Sequence, residues 1–377
     1  MLRYRKVLRL SMLLITVLLA VLLAVPGLAS AGNHSAYQAI NLVSDLPNVA
    51  QFQDTHLVNA WGLTRSSTSP WWVSDNGAGV STLYRGDGSA VSLVVTIPPA
   101  AGGTPPSAPT GTVFNTFNAT MPTAFVVSTN GISGTSRFLF ATEDGTISGW
   151  NPAVAATNAI VGRDRSNFEA IYKGLALAQV GDQPFLYATN FHAGTVEMFD
   201  ANFNLAGSFT DADLAATCPF PGQCYAPFGI QNLDNKLYVT FALQDADHKD
   251  DVHGPARGFV DIFDTEGNLI QRFASHGHLN SPWGVALAPG DFGEFSGDLL
   301  VGNFGDGRIN AFDAQSGVYQ GQVAERPGRP ITIDGLWALE FGNDAPLNAN
   351  GAHNELFFTA GPNDEANGLF GKIVLQP

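Results

Sequence analysis

Short apolar runs alternate with turns rich in Gly, Asn and Asp along most of the chain, a pattern typical of consecutive β-strands. Six segments share one pattern, in which a glycine is followed by a strand-like run that usually ends on an aromatic residue. The segments are GVSTLYR from Gly79, GTISGWN from Gly145, GTVEMFD from Gly194, GFVDIFD from Gly258, GRINAFD from Gly307 and GLFGKIV from Gly368. The recurrence predicts a repeat protein rather than a single irregular sheet.

Each repeat contains more than this one strand. A second apolar run precedes each glycine, as in PWWVSD or DLLVGN, and before it comes an opening phrase such as Trp61-Gly62-Leu63 or Trp283-Gly284-Val285. In five of the six repeats an outer strand follows, and the glycines are spaced on average about 58 residues apart, 289 residues over five intervals. Four strands in each of six repeats predict an all-β fold, a six-bladed β-propeller with antiparallel blades.

The last repeat lacks an outer strand, because the sequence ends with KIVLQP at Pro377. The segment YQAINLV, Tyr37 to Val43, is an unassigned strand near the N-terminus. We expect it to complete the sixth blade and close the ring, which also protects an exposed strand edge. A set of β-sandwiches is the alternative, but such regular repeats do not favour independent domains.

The opening phrase predicts the innermost strand of each blade. Glycine there permits close approach of neighbouring backbones, and the flanking aromatic rings can pack between blades. We therefore expect Trp61, Phe228, Trp283 and Trp337 to be packing residues in the first instance.

The first 31 residues have a different composition. Four basic residues and no acid precede the run LSMLLITVLLAVLLA, and GLASA offers a cleavage site after Ala31. This predicts a signal peptide at residues 1–31 and one propeller domain at 32–377, with an uncleaved membrane anchor as the alternative. No second apolar run approaches spanning length, so we expect export, to the periplasm or the exterior, and no membrane span in the mature chain.

The net charge of the chain limits which classes of molecule it can bind. Removing the four bases of the signal leaves 14 Lys and Arg against 33 Asp and Glu, a formal charge of −19. Nucleic acid is excluded as a partner, because binding to its phosphates needs clustered cations and no basic run remains. The two cysteines, Cys218 and Cys224, lie in CPFPGQC, and in an exported chain we expect them to form a disulfide rather than a reduced pair or a metal site.

Antiparallel blades place the six loops between the second and third strands on one face, which we call the loop face. Every one of these loops contains Asp, Asn or Glu, the oxygen ligands that a divalent cation or a polyhydroxylated ligand would use. The candidate ligand-binding residues are Asn76, Asp144, Asn190, His192, Asn303 and Asp306. For any one of them a role in stabilising a tight turn is an alternative, since Asp or Asn before Gly is ordinary hairpin chemistry.

Histidine is the residue type best suited to acid or base catalysis near neutral pH. His192 is the only histidine in the shorter loops. It is therefore the candidate catalytic residue, with an exposed histidine of no function as the alternative.

The loop from Gln244 to Gly258 is long and acidic. Asp245, Asp247, Asp250 and Asp251 are the candidate metal ligands, with calcium as the possible cofactor. The spacing departs from the EF-hand pattern, with Lys249 at the fifth position and Asp250 where glycine is required. A flexible lid that supplies carboxylates to a site shared with other blades is the alternative.

The phrases WWVSDNGAGVSTLY, ATEDGTISGWNP and NFHAGTVEMFD resemble a family of secreted bacterial six-bladed propellers of unassigned activity. The likeness covers nearly the whole mature chain. More distantly the repeat is similar to NHL-repeat, lactonase-like and streptogramin-lyase-like propellers, which include metal-dependent hydrolases and lyases. The close resemblance implies fold and export, and fold likeness alone carries no chemistry.

Two functions remain. The first is a secreted binding or scaffold propeller whose loop face meets a glycan, a cell-wall component, a small molecule or a protein. The second is an extracellular metal-dependent hydrolase or lyase with a cation in the central funnel. Familiar motifs for serine hydrolases, zinc proteases and nucleotide enzymes are absent from the sequence.

Overall fold

The computed structural model describes residues 35–376. The predicted signal peptide at 1–31 lies outside the described residues, so that segment and the domain boundary after it stay predictions. No helix within 35–376 has the length and apolar character needed to cross a membrane.

The described chain is almost entirely β-structure. In chain order the strands are β1 (Tyr37–Ser44), β2 (Phe52–Gln53), β3 (Ala60–Thr64), β4 (Trp71–Asp75), β5 (Val80–Tyr84), β6 (Ala90–Thr96), β7 (Pro109–Phe114), β8 (Val126–Thr129), β9 (Ile132–Thr135), β10 (Phe138–Thr142), β11 (Thr146–Trp150), β12 (Ile160–Asp164), β13 (Tyr172–Val180), β14 (Gln183–Asn190), β15 (Thr195–Phe199), β16 (Leu205–Phe209), β17 (Tyr225–Leu233), β18 (Lys236–Leu243), β19 (Phe259–Phe263), β20 (Leu269–Ser275), β21 (Pro282–Leu287), β22 (Leu299–Asn303), β23 (Ile309–Phe312), β24 (Tyr319–Gln322), β25 (Ala324–Arg326), β26 (Arg329–Pro330), β27 (Leu336–Phe341), β28 (Leu356–Ala360) and β29 (Leu369–Leu375). The helices are short: α1 (Ala212–Ala215) and 3₁₀ turns at Ser166–Phe168, Gly293–Phe295 and Pro346–Asn348.

Six antiparallel four-stranded blades form a ring, as predicted. From the axis outwards, blade 1 is β3-β4-β5-β6, blade 2 is β7-β10-β11-β12, blade 3 is β13-β14-β15-β16, blade 4 is β17-β18-β19-β20 and blade 5 is β21-β22-β23-β24. Blade 6 is β27-β28-β29-β1, with the two-residue β2 added in parallel at its outer edge. The hairpins β8-β9 and β25-β26 form separate two-stranded sheets.

The N-terminal strand closes the ring, as expected. β1 pairs antiparallel with β29, from Tyr37 opposite Leu375 to Ser44 opposite Leu369. One blade is thus built from both ends of the chain, and β29 has no exposed edge.

The opening phrases pack at the axis because their glycines lack a side chain. A Cβ on Gly62 would lie 2.3 Å from the backbone oxygen of Thr110, and one on Gly229 would lie 2.2 Å from that of Trp283. Each of these contacts joins the inner strands of two neighbouring blades. Glycine is therefore required by close backbone approach.

The aromatic residues of these phrases are buried as predicted. Trp61, Phe228, Trp283 and Trp337 are all at most 9% exposed, and the rings of Trp61 and Trp337 stack with centroids 3.6 Å apart. They form an apolar layer across the centre of the ring, and the loop face lies on one side of it.

Candidate functional site

A lysine replaces an aromatic residue at the axis. The opening phrase carries an aromatic residue in four blades, namely Trp61, Phe228, Trp283 or Trp337. At the same position blade 3 has Lys173, in IYKGLALAQ. Because this position points to the axis in the other blades, the Lys173 side chain enters the centre of the ring. Its side chain is 2% exposed.

Two carboxylates hold the Lys173 ammonium. Nζ donates to Glu143 Oε1 at 2.5 Å and to Asp250 Oδ1 at 3.2 Å, and it lies 5.1 Å from the ring centroid of Trp61. Burial opposes the charge, but the carboxylates of Glu143 and Asp250 outweigh burial and raise the pKa of Lys173. The lysine is therefore a charged group and not a free amine nucleophile.

A chain of hydrogen bonds continues from Glu143 around the axis. Asn76 Nδ2 donates to Glu143 Oε2 at 3.1 Å, and Asn59 Nδ2 donates to Asn76 Oδ1 at 3.3 Å and to Glu365 Oε2 at 2.7 Å. Trp337 Nε1 donates to Asn59 Oδ1 at 3.3 Å. We call Asn59, Asn76, Glu143, Lys173, Asp250 and Glu365 the axial network. It joins loops of blades 1, 2, 4 and 6 to the inner strand of blade 3.

A cavity of about 350 Å³ opens beside this network on the loop face. Its lining residues are Asp250, Asp251, His253, Phe304, Gly305, Asp334, Gly335, Gly361, Asp364 and Glu365. We call this cavity the acidic pocket. Its volume lies in the range of small-molecule sites.

Two carboxyl groups that line the acidic pocket have pKa values raised by burial. Burial raises the pKa of Glu365 to about 7, despite the hydrogen bond from Asn59 that lowers it. Burial also raises the pKa of Asp251, whose side chain is 7% exposed. Shifted carboxyls of this kind concentrate at functional sites.

The structure brings only one of the six predicted ligand-binding residues into the axial network, namely Asn76. Asp144 directly follows Glu143 of the axial network in sequence, but its carboxylate accepts a hydrogen bond from the backbone N–H of Ala108 at 2.8 Å. Burial raises the pKa of Asp144. Its contact is that of a residue holding a loop.

Three more candidates make contacts typical of turns, and one of them, Asp306, also lines a second cavity of about 270 Å³. Asn190 Oδ1 accepts hydrogen bonds from the backbone N–H groups of Ile171 and Ala193, both at 3.2 Å. Asn303 Nδ2 donates to the backbone oxygen of His278 at 2.8 Å and to Asp306 Oδ1 at 3.0 Å. Asn190 and Asn303 are 1% or less exposed, so both side chains are buried in their turns.

His192 lies at the edge of the long acidic loop. Its side chain is 31% exposed, and Nε2 is 3.6 Å from Glu169 Oε2. Its ring centroid is 5.8 Å from that of His248, and its buried Nδ1 has no hydrogen-bond partner in the described chain. The proposed catalytic role of His192 stays a prediction.

The four candidate metal ligands do not converge. Asp245 Oδ1 accepts from the backbone N–H of Lys249 at 2.9 Å, Asp247 is exposed, Asp250 binds Lys173, and Asp251 lines the acidic pocket. Among residues 35–376, no three His, Cys, Asp or Glu side chains are grouped closely enough to hold a metal ion.

The disulfide is present as expected, between Cys218 and Cys224. Its loop supports the long acidic loop from Gln244 to Gly258. His248 Nε2 lies 2.7 Å from the backbone oxygen of Gly222, and the Arg257 guanidinium lies 5.4 Å from the ring centroid of Phe220.

Comparison with known proteins identifies relatives in a virus, Acanthamoeba polyphaga mimivirus. The chain is 33% identical over 338 residues to "Uncharacterized protein R648" of Acanthamoeba polyphaga mimivirus, which covers 88% of this chain and 78% of that protein. It is 32% identical over 336 residues to "Uncharacterized protein L690" of the same virus, covering 88% and 84%. The chain belongs to the family of these two viral proteins. No family model matches it.

The sequence resemblance implied bacterial relatives, whereas these family members are viral, so the bacterial origin is not supported by them. Solved structures with a similar fold include a virginiamycin B lyase from Staphylococcus aureus, with 13% identity, a TM-score of 0.47 and coverage of 90% of this chain and 99% of that one. A glucose dehydrogenase has 11% identity, a TM-score of 0.49 and coverage of 89% and 98%. At this level of similarity the matches carry no information on activity.

Proposed function

We propose that the protein is an exported binding propeller that holds an extracellular ligand on its loop face. The observation that carries the proposal is the acidic pocket beside the axial network, where Lys173, Glu143 and Asn76 from different blades are fixed by hydrogen bonds. A rigid ring that presents preorganised polar groups around a cavity has the construction of a ligand site.

The compartment is part of the proposal. The N-terminal segment has the composition of an export signal, and the Cys218–Cys224 disulfide suits an oxidising environment. The ligands that fit this setting are glycans, cell-wall components, small polar molecules and segments of other proteins.

The test compares two faces of the ring. The full chain is screened against a glycan array, purified peptidoglycan and a panel of charged small molecules. The variants Asp250→Asn and Glu365→Gln change the loop face. Glu266→Gln is the control, because Glu266 is exposed in the turn between β19 and β20 on the opposite face. Binding lost in the loop-face variants and kept in the control supports the proposal, and binding unaffected by both would overturn it.

One observation favours an enzyme as the second candidate. Glu365 lines the acidic pocket with a pKa raised to about 7 by burial, which is the value that suits a general acid or base at neutral pH. A hydrolase or lyase that used this group would lose turnover in Glu365→Gln with ligand affinity kept.

A metal requirement of that enzyme has its own test. Thermal unfolding is measured with EDTA and after restoring calcium, magnesium, manganese or zinc, because an ion that binds only the folded chain raises its Tm. Asp250→Asn is the informative variant. Asn190 and Asn303 are unsuitable for substitution because both fix buried turns.

A further inference from the structure

The acidic pocket has more carboxyl groups than the described chain has cationic side chains to pair with them. Its lining includes the five carboxyls of Asp250, Asp251, Asp334, Asp364 and Glu365, with no Lys or Arg among the described lining residues. The nearby Lys173 ammonium is already bound by Glu143 and Asp250. A group that enters this pocket meets a field that favours cations.

Asp251 supplies a second, independent observation. Its side chain is 7% exposed, and Oδ2 is buried without a hydrogen-bond partner among the described residues. The nearest cationic group to Oδ2 is His253 Nδ1 at 3.9 Å, which carries charge only when protonated. The Ser281 hydroxyl lies close enough to lower the pKa of Asp251 but makes no hydrogen bond of good geometry to Oδ2. A buried carboxylate oxygen that lacks a well-placed donor is costly, and a ligand that donates to it reduces that cost.

The pocket also has an aromatic wall. Phe304 lines it and stacks on Trp337 with ring centroids 4.2 Å apart, so its position is fixed by the apolar layer at the axis. Carboxylates next to an aromatic ring are the groups that recognise alkylammonium and guanidinium ions. A bare metal ion fits less well, since no three acidic or histidine side chains of residues 35–376 are grouped to hold one.

We propose that the acidic pocket binds an organic cation, an alkylammonium or guanidinium group, which donates to Asp251 and Glu365 while its alkyl portion contacts Phe304. This inference rests on the proposed function, because it names the ligand class of the same loop-face site. The group can come from a free amine such as a polyamine or from a lysine or arginine side chain of a peptide.

Isothermal titration with two matched probes tests the charge. 1,6-Diaminohexane carries two ammonium groups, and 1,6-hexanediol has the same chain length without charge. We expect one diamine per chain to bind saturably and the diol to bind at least tenfold more weakly, because hydrogen bonds between charged groups are stronger than those of neutral hydroxyls. Equal affinity for the two probes would overturn the proposal.

Variants locate the site. Glu365→Gln and Asp251→Asn keep side-chain size and remove charge, and each should weaken diamine binding about tenfold. Asp364→Asn is the safe second variant at the rim, because Asp364 is exposed and has a φ of 53°, a conformation that Asn adopts readily. It should weaken binding by a smaller factor. Glu266→Gln on the opposite face should leave the affinity unchanged, and an equal loss there would show general attraction to an acidic protein and overturn the site.

Phe304→Leu tests the aromatic wall, because leucine keeps apolar volume and loses the ring face. We expect several-fold weaker binding of the diamine.

Two further probes distinguish the two sources of the cation, a peptide side chain and a free amine. Tighter binding of N-acetyl-lysine methylamide indicates a peptide side chain, and tighter binding of spermidine indicates a free amine.

The failure of this inference differs from the failure of the proposed function. If neutral oligosaccharides bind and loop-face variants abolish that binding, the loop face is a ligand site and the cationic ligand class is wrong. If the binding of cations and the binding of sugars are both unaffected by the Asp251, Glu365 and Asp250 variants, the inference and the proposed function are both wrong.

Discussion

The Lys173 side chain is 2% exposed, and its buried ammonium charge is stabilised by the carboxylates of Glu143 and Asp250. Replacing it by methionine keeps the apolar stem but leaves Glu143 without its partner. We expect Lys173→Met to lower the free energy of unfolding by about 3 kcal/mol, the cost of breaking a buried ion pair. Urea unfolding measures the change. Lys236→Met is the control, because Lys236 is exposed at the start of β18.

A double variant separates charge from shape. Adding Glu143→Gln to Lys173→Met removes the unpaired carboxylate, so part of the lost stability should return. Additive losses in the two single variants would show that the pair contributes nothing by its coupling.

The pKa of Glu365 predicts a pH dependence of stability. The pKa is about 7 in the folded chain against an ordinary value of 4.5. Between these values the folded chain holds a proton that the unfolded chain has released, so this group makes the free energy of unfolding fall as the pH rises from about 4.5 to 7.

Burial also raises the pKa of Asp261 and Glu340 to about 7, which acts in the same direction. The wild type must therefore be compared with Glu365→Gln at pH 5 and pH 8. We expect Glu365→Gln to gain stability relative to the wild type at pH 8. If the difference in free energy of unfolding between the two proteins is the same at pH 5 and pH 8, the raised pKa of Glu365 is contradicted.

Single residues show why the sequence indicated the loop face but not the axial network that lies there. Asp and Asn next to glycine drew attention to Asn190, Asn303 and Asp306, whose contacts are those of turns. One signal of the axial network is present in the sequence, namely a lysine at a position where four repeats have an aromatic residue. Glu143 and Glu365 gave no such signal, because their proximity arises only when distant blades meet at the axis.

At the scale of elements, the long acidic loop is held by the disulfide loop beside it. The loop delivers Asp250 and Asp251 to the site, and its contacts with the disulfide loop are His248 with Gly222 and Arg257 with Phe220. The sequence predicted both loops as separate features. It could not predict their contact, because 26 residues separate His248 from Gly222.

Removing the disulfide should therefore loosen the acidic loop. In Cys218→Ser/Cys224→Ser, we expect hydrogen exchange at residues 245–253 to accelerate several-fold, since local opening becomes easier when the supporting contacts are lost. Amides of the blade strands β18 and β19 serve as the internal control and should keep their protection. Unchanged exchange in the acidic loop would show that it holds its position independently.

At the scale of the whole molecule, the architecture followed from the repeats. The number of blades, the inner position of the Trp-Gly phrases and the use of Tyr37 to Val43 as the closing strand were all predicted and are confirmed. The fold can be predicted from the repeats because the inner strand of every blade packs against its neighbours at the axis in the same way, which selects similar residues in each repeat. The added β2 and the hairpin β8-β9 break the repeat and gave no regular signal.

Ring closure can be measured through one side chain of the closing strand. Tyr37 is fully buried, its ring centroid lies 4.9 Å from that of Phe292 in blade 5, and its hydroxyl donates to the Phe292 backbone oxygen at 2.7 Å. Tyr37→Ala should lower the free energy of unfolding by about 3–5 kcal/mol, whereas Tyr37→Phe loses only the hydrogen bond, about 1 kcal/mol. Gln38→Ala on the exposed side of the same strand should change it by less than about 0.5 kcal/mol. If all three variants unfold at the same urea concentration as the wild type, β1 is not part of the cooperative unit, because a strand that closes the ring must unfold with it.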